Sequence, residues 1–295
     1  MTLGAVPFRH TKVIHLVRHG QGFHNVAGHK DSAQYLSFDW EDAHLTDFGW
    51  QQAEALHRHI QNLPEQLQVD LVVSSPLTRT LETATGVFAG QAWSDDSQGI
   101  PVMREQSGLQ DRQAKRQAMS TAGCPPIVAH ELCREHLGRH PCDKRRTLSH
   151  YKKQFPAVDF SLIETEEDEL WGSDFREEKE QIKARGLKFM HWLMTRPEQR
   201  IAVVSHSSFL FFTMANFGLH TPPLIQGELH RWYENCEMRT IVLSDDAGSG
   251  NLDSLWFPGG HQLQREGANP PRESYEPPEN AEPPEVVVPP EAPNM

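Results

Sequence analysis

Three short β-branched runs, each closing on a polar turn, constrain this chain more than any other feature. They are "KVIHLV" (12–17), "VDLVVSS" (69–75) and "RIAVVS" (200–205). Each is strand-like in length and composition, and helical spacing follows in the chain. After the first, Thr46 is placed to cap a helix whose apolar positions Trp50, Ala53, Leu56 and Ile60 share one face. After the second, Ser75 can cap and Pro76 suits a first helical position, which predicts a helix to about Ala89. After the third, "HSSFLFFTMANFG" reads as a turn and a helix. "PIVAHELCRE" (126–135) is a further extended segment, 174–195 a helix of mixed charge, and "MRTIVLSD" (238–245) a late edge strand. Strands alternating with helices imply an α/β sheet covered on both faces.

The end of the chain is of another kind. From Asn269 it carries six glutamates against Arg272, many prolines and almost no aromatic residues. Such a segment cannot bury enough apolar surface to order itself. The reading is therefore one globular domain over 1–265 and a disordered Pro/Glu-rich tail over 266–295, the tail being a docking candidate for a protein partner. With a formal net charge of −12, nucleic-acid binding, which needs a basic stripe, is not expected. No apolar run has the roughly 18 residues of a membrane span. Cys124, Cys133, Cys142 and Cys236 form no C-x-x-C pair and read as reduced thiols. The N-terminus has no leader pattern. The expectation is a cytoplasmic protein with nuclear access and no membrane contact.

In open α/β sheets ligands sit beyond the carboxyl ends of the strands. Arg18 and His19 close the first strand, and His206 closes the strand at 200–205. Arg79 falls in the first turn of the helix after 69–75, where side chains lean back toward that rim. Four cationic or protonatable groups on one rim repel each other unless an anion lies between them. A phosphoryl group fits, held also by the Arg donors and by backbone N–H groups where the helix starts at Ser207.

The set L-V-R-H-G-Q-G-x-x-N, S-S-P-L-x-R-T-x-x-T-A and V-S-H-S-S-F-L resembles the histidine phosphatase superfamily, phosphoglycerate mutase-like branch. "AHLTDFGWQQ", "ELCREHLGRHPCDKRR" and "FPAVDFSLIET" resemble plant and fungal phosphoglycerate mutase-like proteins. The likeness covers residues 12–245. It implies a three-layer α/β/α sandwich and, by position, His19 as the nucleophile that becomes phosphohistidine. Arg18, Arg79 and His206 would complete the phosphate pocket, Asn25 would donate an amide hydrogen bond to a phosphoryl oxygen, and Glu135 would be the proton donor.

The chemistry suits these residue types. A phosphohistidine splits a slow hydrolysis into two steps. Fixed Arg and His⁺ groups stabilise the spread charge without a metal or other cofactor. His19 must be neutral at the attacking nitrogen, its other nitrogen donating to a backbone carbonyl, while His206 is expected to stay protonated beside the phosphate. Gly20 and Gly22 are expected to let backbone approach the anion.

Three positions depart from the glycolytic mutases. Gly22 stands for their substrate-holding Ser, Gln21 for Glu, and Ser208 for a common Gly. These departures favour a phosphatase acting on a small phosphorylated metabolite. A phosphoglycerate-type mutase, and a non-catalytic phospho-ligand module on the same fold, are the alternatives. Around Glu135 lie Arg134, Arg139, Lys144, Arg145 and Arg146, with His136 and His140. They form either a solvated basic face or a lid in which Arg145 and Arg146 hold an acidic substrate beyond its reacting phosphate. His24 adjoins Asn25 as a minor candidate contact. His15, His57, His59 and His191 read as structural. His15, His19 and His206 lack the neighbouring carboxylate or thiolate of a metal site. The acidic run "IETEEDELW" (163–171) reads only as a charged loop or helix start.

Overall fold

The computed structural model describes residues 7–63, 67–89, 91–94, 99–106 and 114–244. The domain boundary at 265 and the Pro/Glu-rich tail lie outside the described residues. Five strands form one sheet: β1 (Thr11–Arg18), β2 (Leu71–Ser74), β3 (Ile127–Ala129), β4 (Arg200–Ser205) and β5 (Met238–Ser244), in the order β3-β2-β4-β1-β5. The first four are mutually parallel, and β5 runs antiparallel to β1 at the edge. The helices are α1 (Phe23–Lys30), α2 (Asp47–Gln61), α3 (Thr78–Phe88), α4 (Leu148–Gln154), α5 (Lys179–Thr195), α6 (Ser207–Met214) and α7 (Pro223–Leu229). None is long and apolar enough to cross a membrane.

The period of two along each strand sorts its side chains into two cores. Val17, Val72, Ala202 and Val204 pack with Trp50, Ala53, Leu81 and Ala84 of α2 and α3. Ile14, Leu16, Val73, Ile201 and Val203 pack with Ile182, Phe189, Phe209 and Leu210 of α5 and α6. Because both faces are covered, β1 and β4 read as near-continuous apolar runs. This is the three-layer sandwich expected. Truncating a ring such as Phe189, fully buried between α5 and α6, costs about 3–5 kcal/mol in such cores.

Register then sets the rim. Arg18 pairs with Ser205 across β1 and β4, so His19 and His206 are the next residues of two adjacent strands. The amide of His19 donates to the Ser205 carbonyl (2.9 Å), and that of Ser75 to the Val204 carbonyl (3.0 Å). Three strands thus end level.

Three element starts differ from the sequence reading. Helix α3 begins at Thr78, not Pro76, because buried Asp42 caps it from outside. Its carboxylate accepts from the Thr78 amide (2.8 Å) and hydroxyl (2.5 Å), while the Ser75 hydroxyl is paired with His206 instead. Helix α5 begins at Lys179, not Asp174, fixed by a capping box between Glu178 and Gln181. Of 126–135 only Ile127–Ala129 is strand. His130 then accepts from the Leu132 amide through Nδ1 (3.0 Å), opening a short 3₁₀ turn. That turn swings Glu135 over the sheet end.

Candidate active site

A cavity of about 240 Å³ opens at the carboxyl ends of β1 and β4, and its walls include Arg18, His19, Asn25, Arg79, Glu135 and Ser207. His206 is fully buried and stands edge-on to His19, ring centroids 5.2 Å apart. The residues predicted from four separate segments therefore converge.

His19 is fixed most tightly. Its Nδ1 lies 2.6 Å from the Gly20 carbonyl, which can only accept, so Nδ1 carries the proton. Burial, with Arg79 and Arg18 close by, holds the ring well below the usual imidazole range. The neutral ring thus presents a bare Nε2, the state an imidazole nucleophile needs. Burial first, then Arg79 and His19, lower the pKa of His206 well below normal, so the protonated ring expected beside a phosphate needs that anion's charge to offset them. Its Nε2 is paired with Ser75 Oγ (2.8 Å) and its Nδ1 is buried without a partner.

The two guanidiniums are held from behind. Arg79, almost wholly buried on α3, donates from Nη1 to the Cys142 carbonyl (2.5 Å) and from Nη2 to Asp143 (2.9 Å). Arg18 donates from Nη1 to the Tyr233 carbonyl (2.7 Å). In both, Nε is buried and unpartnered. Buried donors of this kind are rare and call for an explanation.

Glu135 sits at the cavity wall with its carboxylate over the start of α6. Oε1 accepts from the amides of His136 (3.0 Å) and Phe209 (3.2 Å), and Oε2 from that of Ser208 (3.3 Å). The helix-start N–H groups at Ser208 and Phe209 that the sequence reading offered to a phosphate therefore serve Glu135. Ser207 contributes its side chain to the wall, Oγ lying 3.5 Å from the Tyr233 carbonyl. Asn25 is on the wall too, but its amide is engaged: Oδ1 accepts from the Gly22 amide (2.9 Å) and Nδ2 faces His24 Nε2 (3.1 Å).

Gly20 and Gly22 serve packing. A Cβ on Gly20 would lie 2.6 Å from the Gly49 carbonyl oxygen of α2, and one on Gly22 would lie 2.6 Å from His24 Nδ1. Gln21 points away from the cavity, its Oε1 accepting from the Thr46 hydroxyl (2.9 Å).

The lid reading of the basic cluster fails. Arg145 is buried, and its guanidinium donates to Glu131 (2.8 Å) and to the carbonyls of Arg146, Thr165, Glu166 and Glu167. Arg146 reaches the Glu41 carbonyl (3.3 Å) and lies 3.4 Å from Asp42. Neither lines the cavity. Arg134 is fully buried against Asp168 and Glu131, and Lys144 pairs with Glu41. The acidic run holding Asp168 is thus the partner of the basic one.

Sequence reasoning missed the wall residues Tyr35, Asp143, Arg176 and Trp232; His24, its minor candidate, and His140 of the basic cluster are on the wall as well. Arg176 donates from Nη1 to the His136 (2.9 Å) and Gly138 (2.6 Å) carbonyls and to Asp143 (3.0 Å). His140, Cys142 and Asp143 bring potential ligand atoms within 4.8 Å of one another. Asp143, however, already meets Arg79 and Arg176 through its two oxygens, and two adjacent guanidiniums make a poor cation site.

The pattern of the Histidine phosphatase superfamily (branch 1) matches residues 14–107. The chain is 46% identical over 258 residues to Phosphoglycerate mutase-like protein 1 of Arabidopsis thaliana, covering 87% of this chain and 90% of that protein. It is 43% identical over 259 residues to another Phosphoglycerate mutase-like protein of the same plant, covering 87% and 94%. The crystal structure of the alpha-ribazole phosphatase from Shigella flexneri aligns over 77% of this chain and 89% of that one, at 21% identity and a TM-score of 0.43. Site geometry and relatives agree, and the chain belongs to the histidine phosphatase superfamily, among its phosphoglycerate mutase-like proteins.

Proposed function

We propose that the protein is a metal-independent phosphomonoesterase that acts on a small phosphorylated metabolite through a phosphohistidine on His19. The observation that carries this reading is the bare Nε2 of His19, set by the Gly20 carbonyl, on a cavity walled by Arg18 and Arg79, each with a buried Nε–H that has no partner. In the first step the Nε2 lone pair forms the N–P bond as the ester P–O bond breaks. The leaving oxygen takes a proton from Glu135. In the second step water attacks phosphorus, Glu135 recovers a proton from it, and the N–P bond breaks to release phosphate. The donors match the equatorial oxygens of a loose phosphoryl transition state, where fixed dipoles and charges are most effective. An incoming phosphate and the Glu135 carboxylate repel unless they share a proton, which places one where the leaving group needs it.

The mutase alternative is favoured by the names of the relatives at 43–46% identity. There a substrate hydroxyl, not water, would capture the phosphohistidine. Phosphate release from p-nitrophenyl phosphate and a panel of phosphorylated metabolites, run with chelator beside a phosphoglycerate isomerisation assay, separates the two. Release that survives chelator, and acid-labile phosphate on the wild type but not on His19→Ala, are expected. Label persisting on His19→Ala would remove the mechanism, and isomerisation outrunning release would turn the assignment to mutase.

A further inference from the structure

His24 is a wall residue that neither the motif nor the mechanism uses, yet its hydrogen bonds set its state. The chain of donors runs outward from the backbone. The Gly22 N–H can only donate, so the Asn25 atom facing it (2.9 Å) is the oxygen Oδ1. Asn25 therefore turns its NH₂ toward His24 Nε2 (3.1 Å). That nitrogen must accept, which leaves the proton of the neutral ring on Nδ1. Nδ1 is buried and has no partner. It also lies where a side chain on residue 22 would project, 2.6 Å from the position of a Gly22 Cβ, in a residue that lines the cavity and whose ring centroid is 5.5 Å from that of His19.

Resting on the phosphohydrolase reading above, we propose that His24 donates its Nδ1–H to an equatorial oxygen of the phosphoryl group transferred to His19. The residue is then a further catalytic donor, and Gly22 and Asn25 are its positioning residues. The lack of a Cβ at Gly22 gives the ring its place, and Asn25 selects its tautomer. Burial and the Arg79 guanidinium keep the ring uncharged. It therefore adds a directed dipole to a pocket already holding two fixed cations, without further repulsion among them.

The test compares His24→Phe, which keeps the ring and removes both nitrogens, with His24→Asn, whose amide NH₂ reaches the place of Nδ1–H. For His24→Phe we expect kcat on p-nitrophenyl phosphate to fall about 100-fold, in the range for losing one transition-state donor. Orthovanadate, which mimics the phosphoryl group in flight, should bind at least about tenfold more weakly by calorimetry. His24→Asn should recover most of both losses. Nitrogen shifts of histidine-labelled wild type should show the His24 ring neutral and protonated on Nδ1; this measurement and His24→Asn decide if His24→Phe does not fold. A folded His24→Phe within twofold of wild type in kcat and vanadate affinity overturns the proposal, as does a ring protonated on Nε2. If the wild type turns over no ester but His24→Phe still loses vanadate affinity, the phosphohydrolase reading falls and the His24 donor stands. If the wild type binds no vanadate, both fall.

Discussion

Arg145 separates a structural arginine from a substrate-binding one. It sits in a run of basic residues beside Glu135, yet its side chain is 1% exposed and its Nε, Nη1 and Nη2 all donate within the protein. Replacing it with Met keeps much of the volume, removes the cation and leaves four backbone carbonyls without that donor. Breaking a buried, hydrogen-bonded ion pair from one side costs about 3–5 kcal/mol. For a domain of this size each kcal/mol shifts Tm by about 2–4 °C, so Arg145→Met should melt about 6–20 °C below wild type. Arg146 is the internal control. Its side chain is 38% exposed, and although Asp42 beside it is buried, that carboxylate keeps its Thr78 and Tyr151 donors, so losing this half-exposed cation costs about 1 kcal/mol. Arg146→Ala should therefore move Tm by no more than about 4 °C. The assay is thermal melting, paired with KM for a multiply charged phosphoester and for p-nitrophenyl phosphate at a temperature where both variants are folded. The ratio of the two KM values should stay within about twofold of wild type. An Arg145→Met protein that melts like wild type but loses affinity only for the multiply charged ester would refute the reasoning.

Two further predictions concern charge at and near the cavity. Arg176→Ala removes the cavity-wall cation anchored by the Gly138 carbonyl and Asp143. It should raise KM about tenfold for a substrate with a second anionic group and much less for p-nitrophenyl phosphate, as steady-state kinetics on the pair would show; a charged hydrogen bond is worth about 1.5–3 kcal/mol. His130 packs on Trp192 with its pKa lowered to about 4 by burial. The unfolded chain takes up this proton near pH 6.5 while the folded chain does not. The stability His130 contributes is therefore intact above pH 6.5 and lost as pH falls toward 4, up to about 3 kcal/mol. Urea titrations at pH 7 and 4.5 should show a smaller acid loss for His130→Asn, whose Oδ1 can still accept from the Leu132 amide; an unchanged difference would mean that His130 titrates normally.

What could be read in advance follows from where each residue's partners lie in the chain. Arg18, His19 and His206 are strand ends, and Arg79 is one turn into the next helix, so the parallel sheet alone brings them together. The pairing of Arg18 with Ser205 is the geometric form of that inference. The fold class was legible for the same reason: the apolar strands and the Thr46 cap, whose hydroxyl accepts from the Gly49 amide, are local signals. Element starts failed where a distant side chain took over, as Asp42 does at Thr78. The basic run around Glu135 failed more instructively. Read alone it was a solvated face or a lid, and the acidic run at 163–171 a charged loop or helix start, but Arg134 meets Asp168 at 2.6 Å and Arg145 meets the Glu167 carbonyl at 2.7 Å. Neither segment has a helical or strand period, so nothing in the linear pattern marks them as each other's partners. Arg176 escaped for that reason too, since it comes from an irregular segment whose position is tertiary, and His24 stood only as a minor contact because the partner of its ring is set by the fold.

That buried network has a consequence for the site. Arg18 Nε, Arg79 Nε, His206 Nδ1 and His24 Nδ1 are buried without acceptors, and each such group costs about 1–3 kcal/mol. A domain stable by only about 5–15 kcal/mol holds several of them on β1, α1, α3 and the start of α6 only if the loops packed against those elements do not rearrange. Here the loops are pinned. Arg185 of α5 donates to the carbonyls of Leu132, Arg134 and Glu135 and pairs with Glu177, and Arg134 and Arg145 tie the neighbouring stretch to the acidic run. Arg79 is held by Asp143 and the Cys142 carbonyl within that same stretch. On the proposed function, the buried arginines that touch no substrate serve the site by holding the segments around the cavity in place, as Arg185 does at Leu132–Glu135, while Arg79 is itself held at Cys142 and Asp143.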